Sequence, residues 1–139
     1  MMMTPEQTIL IRDTWKKVEP IADTAAELFY ARLFEMDPSL EMLFKSDMKT
    51  QGAKLMKMIA MAVSALDRFE AVIPSIQSSG RRHVGYDVKE EDYDTVGGAL
   101  LWTLEKGLGS EFTPEVEDAW ATLYGKLASI MKDAAREIS

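Results

Sequence analysis

Apolar residues recur at three- and four-residue spacings through nearly all of this chain, the period of helices with one buried face. Near the start, Thr4-Pro5-Glu6-Gln7 reads as an N-cap threonine, a proline in the first turn and a glutamine placed to close a capping box. Ile11, Trp15 and Val18 then share one face until Pro20 interrupts it. A second helix is predicted over residues 21–36, with Ala26, Phe29, Tyr30 and Leu33 on one stripe. Asp37-Pro38 stops it, because the residue before a proline is pushed out of helical geometry. A short turn over residues 39–44 has Leu40, Leu43 and Phe44 as its apolar side, and residues 45–50 read as a polar loop or frayed turn. The strongest helix is predicted over residues 51–69, where Leu55, Met58, Ile59, Ala62, Val63 and Leu66 form a broad stripe.

A shorter helix starts at Ile73-Pro74-Ser75 and ends near His83, with a bend at Gly85 and Asp87. Glu90-Glu91-Asp92 suits the first turn of a helix that runs to about Leu108, ended by Gly107 and Gly109. Thr113-Pro114-Glu115 caps a last helix with the stripe Val116, Ala119, Trp120, Leu123, Tyr124, Leu127, Ile130 and Met131. The mid-helix pair Gly97-Gly98 costs about 1 kcal/mol per glycine, which a close approach to a neighbouring helix explains, with Gly125 as the facing small residue. No two-residue alternation marks a strand. The pattern predicts an all-α protein of six to eight amphipathic helices.

Composition narrows the chemistry more than the fold. The 139 residues suit one domain with a core of its own. Sixteen basic against 23 acidic residues leave a net charge of −7, which excludes a role driven by phosphate contacts, so no nucleic-acid partner is expected. The absence of cysteine removes disulfides, thiolate zinc sites, iron–sulfur clusters, covalent c-type haem attachment and cysteine nucleophiles. No apolar run reaches the roughly 18 residues that span a bilayer, and the first residues lack the basic-then-apolar pattern of a signal peptide. A soluble, cytoplasmic protein with no membrane partner is the expectation. The single histidine, His83, restricts most: any site needing two imidazoles from this chain is excluded.

Around that histidine the order of residues becomes informative. Trp15, Phe29-Tyr30, Pro38, Leu43-Phe44, Gln51, Leu55, Arg82-His83, Tyr93, Trp120 and Tyr124 follow one another in a familiar order. The most specific piece is Gly80-Arg81-Arg82-His83, followed ten residues later by Tyr93 in Glu91-Asp92-Tyr93. This series resembles the globin family, in particular bacterial single-domain haemoglobins and the globin part of flavohaemoglobins, over essentially the whole chain.

The resemblance implies a single globin domain over residues 1–139, packed around haem b, iron protoporphyrin IX. It makes His83 the proximal iron ligand, with neutral imidazole leaving the opposite axial position open. It sets Leu43 and Phe44 against the porphyrin, has Leu55 wall the distal pocket, and makes Val88 and Val96 apolar contacts. Lys54 and Arg82 become partners for the haem propionates, with Arg81 and Lys45 as weaker choices. Tyr30 and Gln51 point at a diatomic gas such as dioxygen.

Tyr93 matches the tyrosine of the family's proximal network, whose glutamate falls near Ala135 here. Glu137 is close in sequence but stands roughly 200° around the helix, which weakens any push of electron density onto iron. The implied function is reversible dioxygen binding for storage, scavenging or delivery. Nitric oxide dioxygenation is the enzymatic alternative, and a haem-based gas sensor a third. With the chain ending at Ser139, no flavin or nicotinamide domain is expected, so turnover calls for a separate reductase.

Overall fold

The structure, a computed structural model, describes residues 4–43, 48–85 and 89–138. Within those segments the side chains of Leu43, Met48, His83, Val84, Glu90, Glu137 and Ile138 lie outside the description. The described residues contain no strand and form six α-helices joined by 3-10 turns: α1 (Pro5–Val18), α2 (Ala22–Met36), α3 (Met48–Ser64), α4 (Ile73–Gly85), α5 (Glu90–Leu108) and α6 (Pro114–Ile138). The all-α expectation holds, with the α-helix count at its lower bound.

Local chemistry sets the ends. Gln7 N–H donates to the Thr4 hydroxyl at 3.1 Å while the Gln7 side-chain oxygen accepts from Thr4 N–H at 3.1 Å, closing the capping box of α1. Thr113 caps α6 by accepting from Val116 N–H at 3.3 Å. Gly109, at φ +58°, ends α5 in a conformation that only glycine adopts freely. Gly107 does not mark that end. It lies inside α5 and leaves room for Ile21 and Val18, 3.6 and 4.0 Å from where its Cβ would stand.

The largest boundary difference concerns α3, which begins at Met48 and stops at Ser64 instead of running over 51–69. Ala65 leaves helical geometry, and a 3-10 turn (Leu66–Val72) follows, with Arg68 at φ −138° and ψ 43°. Pro74 supplies a reason: a helix continued through it would lose one backbone bond and press the ring on the carbonyl four residues back. In the first turn of a new helix it costs neither.

The core has two parts. The larger joins Ile11, Trp15, Val18, Phe29, Leu33, Leu104, Leu108, Trp120 and Leu123 from α1, α2, α5 and α6. The smaller is Ile76, Tyr93, Ala128 and Met131, where α4 and α5 meet α6. Trp120 donates its indole N–H to the buried Thr14 hydroxyl at 2.9 Å, so the α1–α6 contact carries a satisfied polar bond as well as apolar area. α3 packs on α2, and α4 packs on α6. Consecutive in sequence, α3 and α4 are thus fastened to different partners and do not stack closely on each other among the described residues.

Glycines govern the two tightest crossings. A Cβ on Gly80 would lie 2.5 Å from the carbonyl oxygen of Met131 and 2.7 Å from its Cα, so α4 meets α6 backbone to backbone. A Cβ on Gly97 would fall 2.7 Å from the Tyr124 ring. The residue facing Gly97 is therefore Tyr124, which corrects the expected Gly125. Gly125 is exposed with nothing within 4 Å of its Cβ direction. Gly98 instead faces the Met36 methyl group at 3.1 Å.

Candidate functional site

The site is best approached from α2. Its stripe of Ala25, Ala26, Phe29, Tyr30 and Leu33 is buried, and Tyr30 is wedged between neighbours. Its ring meets Phe29 edge-on at 5.0 Å and Phe34 at 6.0 Å. One turn back, Ala26 touches Gly52 of α3, where a Cβ would come within 2.9 Å of the Ala26 Cβ. That contact between two small residues brings the α2 and α3 backbones together. It carries the Tyr30 hydroxyl to the first turns of α3, where it donates to the Gln51 carbonyl at 3.3 Å. Burial pushes the Tyr30 pKa up to about 12, because a phenolate there would lose its hydration. At neutral pH this group is a proton-bearing donor.

Gln51 is half-buried and Leu55 follows it by four residues, one turn further along α3, packed against the larger core. Tyr30 and Gln51 are thus in contact, and Leu55 lies one turn further along α3. Lys54 is exposed beside them.

On α4, Ile76, Ser79 and Gly80 are buried where the helix meets α6. His83 follows Ser79 by four positions, one turn along the helix, and its side chain lies outside the described residues. Arg81 and Arg82 are exposed, and the Arg82 guanidinium donates to the Ser78 hydroxyl at 3.3 Å, along its own helix. Phe44, Lys45 and Val88, together with the Leu43 side chain, also fall outside the described residues.

Tyr93 is buried on α5, with Val96 half-buried three residues on. The Tyr93 carbonyl accepts from the Tyr124 hydroxyl at 2.5 Å, a bond that reaches α5 because Gly97 leaves room for the Tyr124 ring. The Lys132 ammonium stands 5.7 Å from the Tyr93 ring centroid. Burial raises the Tyr93 pKa. It raises that of Tyr124 further, aided by repulsion from Tyr93 and Asp94. Ala135, at the family's glutamate position, is half-buried.

Gly52, Gly80 and the role of Tyr124 as a clamp on α5 escape a reading of the sequence. The signal the sequence carries for such contacts is a glycine inside an otherwise regular helix, as at Gly52 and Gly80.

These elements suit a flat, largely apolar prosthetic group. α3 and α4 are held by separate partners, a neutral phenol and a carboxamide-bearing residue sit at the start of α3, and the chain's one imidazole is on α4. The donor set is right for iron in a tetrapyrrole: one nitrogen ligand, no competing thiolate, and proton donors in place of a second imidazole. The described residues define an all-helical protein whose donor set is compatible with such a group.

Comparison with known proteins agrees. The globin family model matches residues 27–131. The flavohemoprotein of Deinococcus radiodurans is 34% identical over 134 residues, 94% of this chain and 33% of its own length. Those of Bordetella parapertussis and Vibrio cholerae are each 30% identical, over 94% and 95% of this chain and 33% and 34% of their own. The chain therefore spans about a third of the length of the curated relatives it matches. It belongs to the globin family, and haem binding goes with that membership. No helix among the described residues is long and apolar enough to cross a membrane.

Proposed function

We propose that this globin holds haem b between α3 and α4 through His83 and binds dioxygen reversibly, for storage, scavenging or delivery. The observation that carries the reading is the buried Tyr30 phenol, brought to the start of α3 by the Ala26–Gly52 contact and donating to the Gln51 carbonyl at 3.3 Å. Bound haem would supply a ferrous iron able to take up a diatomic gas.

The chain's own residues do the rest. His83 would hold the iron through an imidazole nitrogen, and Leu55 and Val96 would help keep water from the bound group. The family likeness assigns apolar porphyrin contacts to Phe44, Leu43 and Val88, and the propionates to Lys54 and Arg82. Tyr30 and Gln51 offer O–H and N–H donors to a gas that draws partial negative charge. At 3.3 Å the bond from Tyr30 to the peptide carbonyl is long, so little is lost when the hydroxyl turns to a better acceptor. Each donor contributes about 1 kcal/mol, so the pair slows gas release by roughly one to two orders of magnitude. Carbon monoxide, which draws less charge, gains less.

The ferrous absorption spectrum with and without dioxygen tests this, repeated for His83→Ala and Tyr30→Phe. His83→Ala should lose the dioxygen-dependent change, and Tyr30→Phe should release dioxygen about five- to tenfold faster. Unchanged dissociation in Tyr30→Phe would overturn the distal assignment.

A second reading, nitric oxide dioxygenation with a separate reductase, draws support from the likeness to flavohemoproteins. It weighs less because alanine stands at position 135, where the family's proximal network has its glutamate. Sustained consumption of nitric oxide with an added flavoprotein reductase distinguishes it.

A further inference from the structure

Along the outer edge of their contact, α2 and α5 are joined by a thioether. Met36, the last residue of α2, lays its methyl group over Gly98 of α5, 3.1 Å from where a Cβ would stand. One turn back on α2 and one turn on along α5, the Arg32 guanidinium lies 5.3 Å from the centre of the Trp102 ring. The helices therefore run antiparallel along this edge, and Met36 fastens the end of α2. Gly98 is exposed and brings no side chain of its own, so the Met36 methyl is what covers this stretch of α5 backbone. Met36 is also open to solvent. It is 42% exposed, and Met42, on the 3-10 turn (Pro38–Leu43), is 78% exposed. The other methionines with described side chains, Met56, Met58, Met61 and Met131, are half-buried or buried. Exposure governs how readily a thioether is oxidised, while the effect of the product depends on what the side chain touches. Met36 combines exposure with a contact between two helices, whereas Met42 lies on a turn and belongs to neither core cluster.

We propose that Met36 is a reversible oxidation site, whose conversion to the sulfoxide by hydrogen peroxide releases the end of α2 from Gly98. The sulfur lone pair attacks one peroxide oxygen, the O–O bond breaks, and the departing oxygen leaves as water. Sulfur is oxidised by two electrons and peroxide is reduced by two. The product is polar and chiral, and its oxygen draws water. Held over Gly98, it presses that oxygen towards peptide backbone; withdrawn, it uncovers the backbone and leaves the last turn of α2 without its neighbour. The lost contact is comparable to one buried methylene, a three- to fivefold fall in the folding equilibrium constant, roughly.

A limited dose of hydrogen peroxide, given to the haem-loaded protein with carbon monoxide on its iron, tests the assignment. Peptide mass spectrometry should find one added oxygen on Met42 and Met36 before Met58, Met61 and Met131. The urea midpoint should fall in the treated unmodified chain and in treated Met42→Leu, and hold in treated Met36→Leu, which retains every other methionine. Leucine for methionine is a near volume-conserving change, so each variant folds. The two methionine sulfoxide reductases, one for each epimer, should restore both the thioether and the midpoint. The proposal is overturned if Met36 takes up oxygen no faster than Met131, or if treated Met36→Leu loses as much stability as the unmodified chain. It is equally overturned if reduction of the Met36 sulfoxide leaves the midpoint low.

Discussion

Replacing Gly80 by alanine puts one methyl group where α4 and α6 touch. The new Cβ would lie 2.5 Å from the Met131 carbonyl oxygen, 2.7 Å from its Cα and 2.9 Å from its carbonyl carbon. Favourable carbon contacts begin near 3.5 Å, so the helices must part by about 1 Å. All three obstructing atoms belong to the α6 backbone, so no rotamer change relieves them. Overpacking of this kind costs about 1–3 kcal/mol, and immovable neighbours place it at or above the upper end. Alanine returns about 1 kcal/mol through helix propensity.

The net expectation is a loss of about 2 kcal/mol or more, or at least roughly 6–8 °C in midpoint for a chain of this size. Gly125→Ala is the matched control. It is also an α6 glycine, but exposed and with open space at its Cβ, so it should gain about 0.5–1 kcal/mol. Urea and thermal denaturation followed by the helical circular dichroism signal read both. Gly80 precedes His83 by three positions, so the same change should loosen haem. A Gly80→Ala protein as stable as Gly125→Ala would refute the account of the α4–α6 crossing.

Two further outcomes are expected. Thr14→Val removes the acceptor of the Trp120 indole N–H without changing side-chain size, leaving a buried donor unsatisfied. A loss of about 1–3 kcal/mol should appear in urea unfolding, and a neutral result would show that the bond contributes nothing. The native state also keeps the Tyr30 proton up to about pH 12, and Tyr93 and Tyr124 are shifted the same way. An unfolded chain releases these protons near 10. Stability should therefore be intact below about pH 10 and fall as pH rises from there towards 12, with Tyr30 alone accounting for up to ~3 kcal/mol. Near-ultraviolet phenolate absorbance against urea midpoint checks this; four tyrosines titrating together near 10 in a folded protein would contradict it.

The helices were legible because each apolar stripe records which face is buried. Ile11, Trp15 and Val18, or Val116, Ala119, Trp120 and Leu123, are buried as their spacing predicts. The end of α3 was not legible, since the stripe continues through Leu66 and Phe69 and both still pack on the core, though from a 3-10 turn. Periodicity reports burial and cannot distinguish a helix from a turn that buries the same side chains. The partner of Gly97 is not legible for a related reason: small residues suggest a close approach, but whether the neighbour offers a glycine or the face of a tyrosine ring depends on how the helices rotate.

By itself, the sequence determined an all-helical chain and the one imidazole available to a metal. These follow from residue identity and from a helical period that local backbone bonding enforces. Tertiary structure alone decided that α2 and α3 meet at Ala26 and Gly52, that α4 lies against the Met131 backbone, and that the Tyr124 hydroxyl holds the Tyr93 carbonyl. Each is a contact between residues on different helices, 26 or more positions apart in the chain. Its geometry is fixed by which side chains are small enough to let two backbones approach, and no local rule records that.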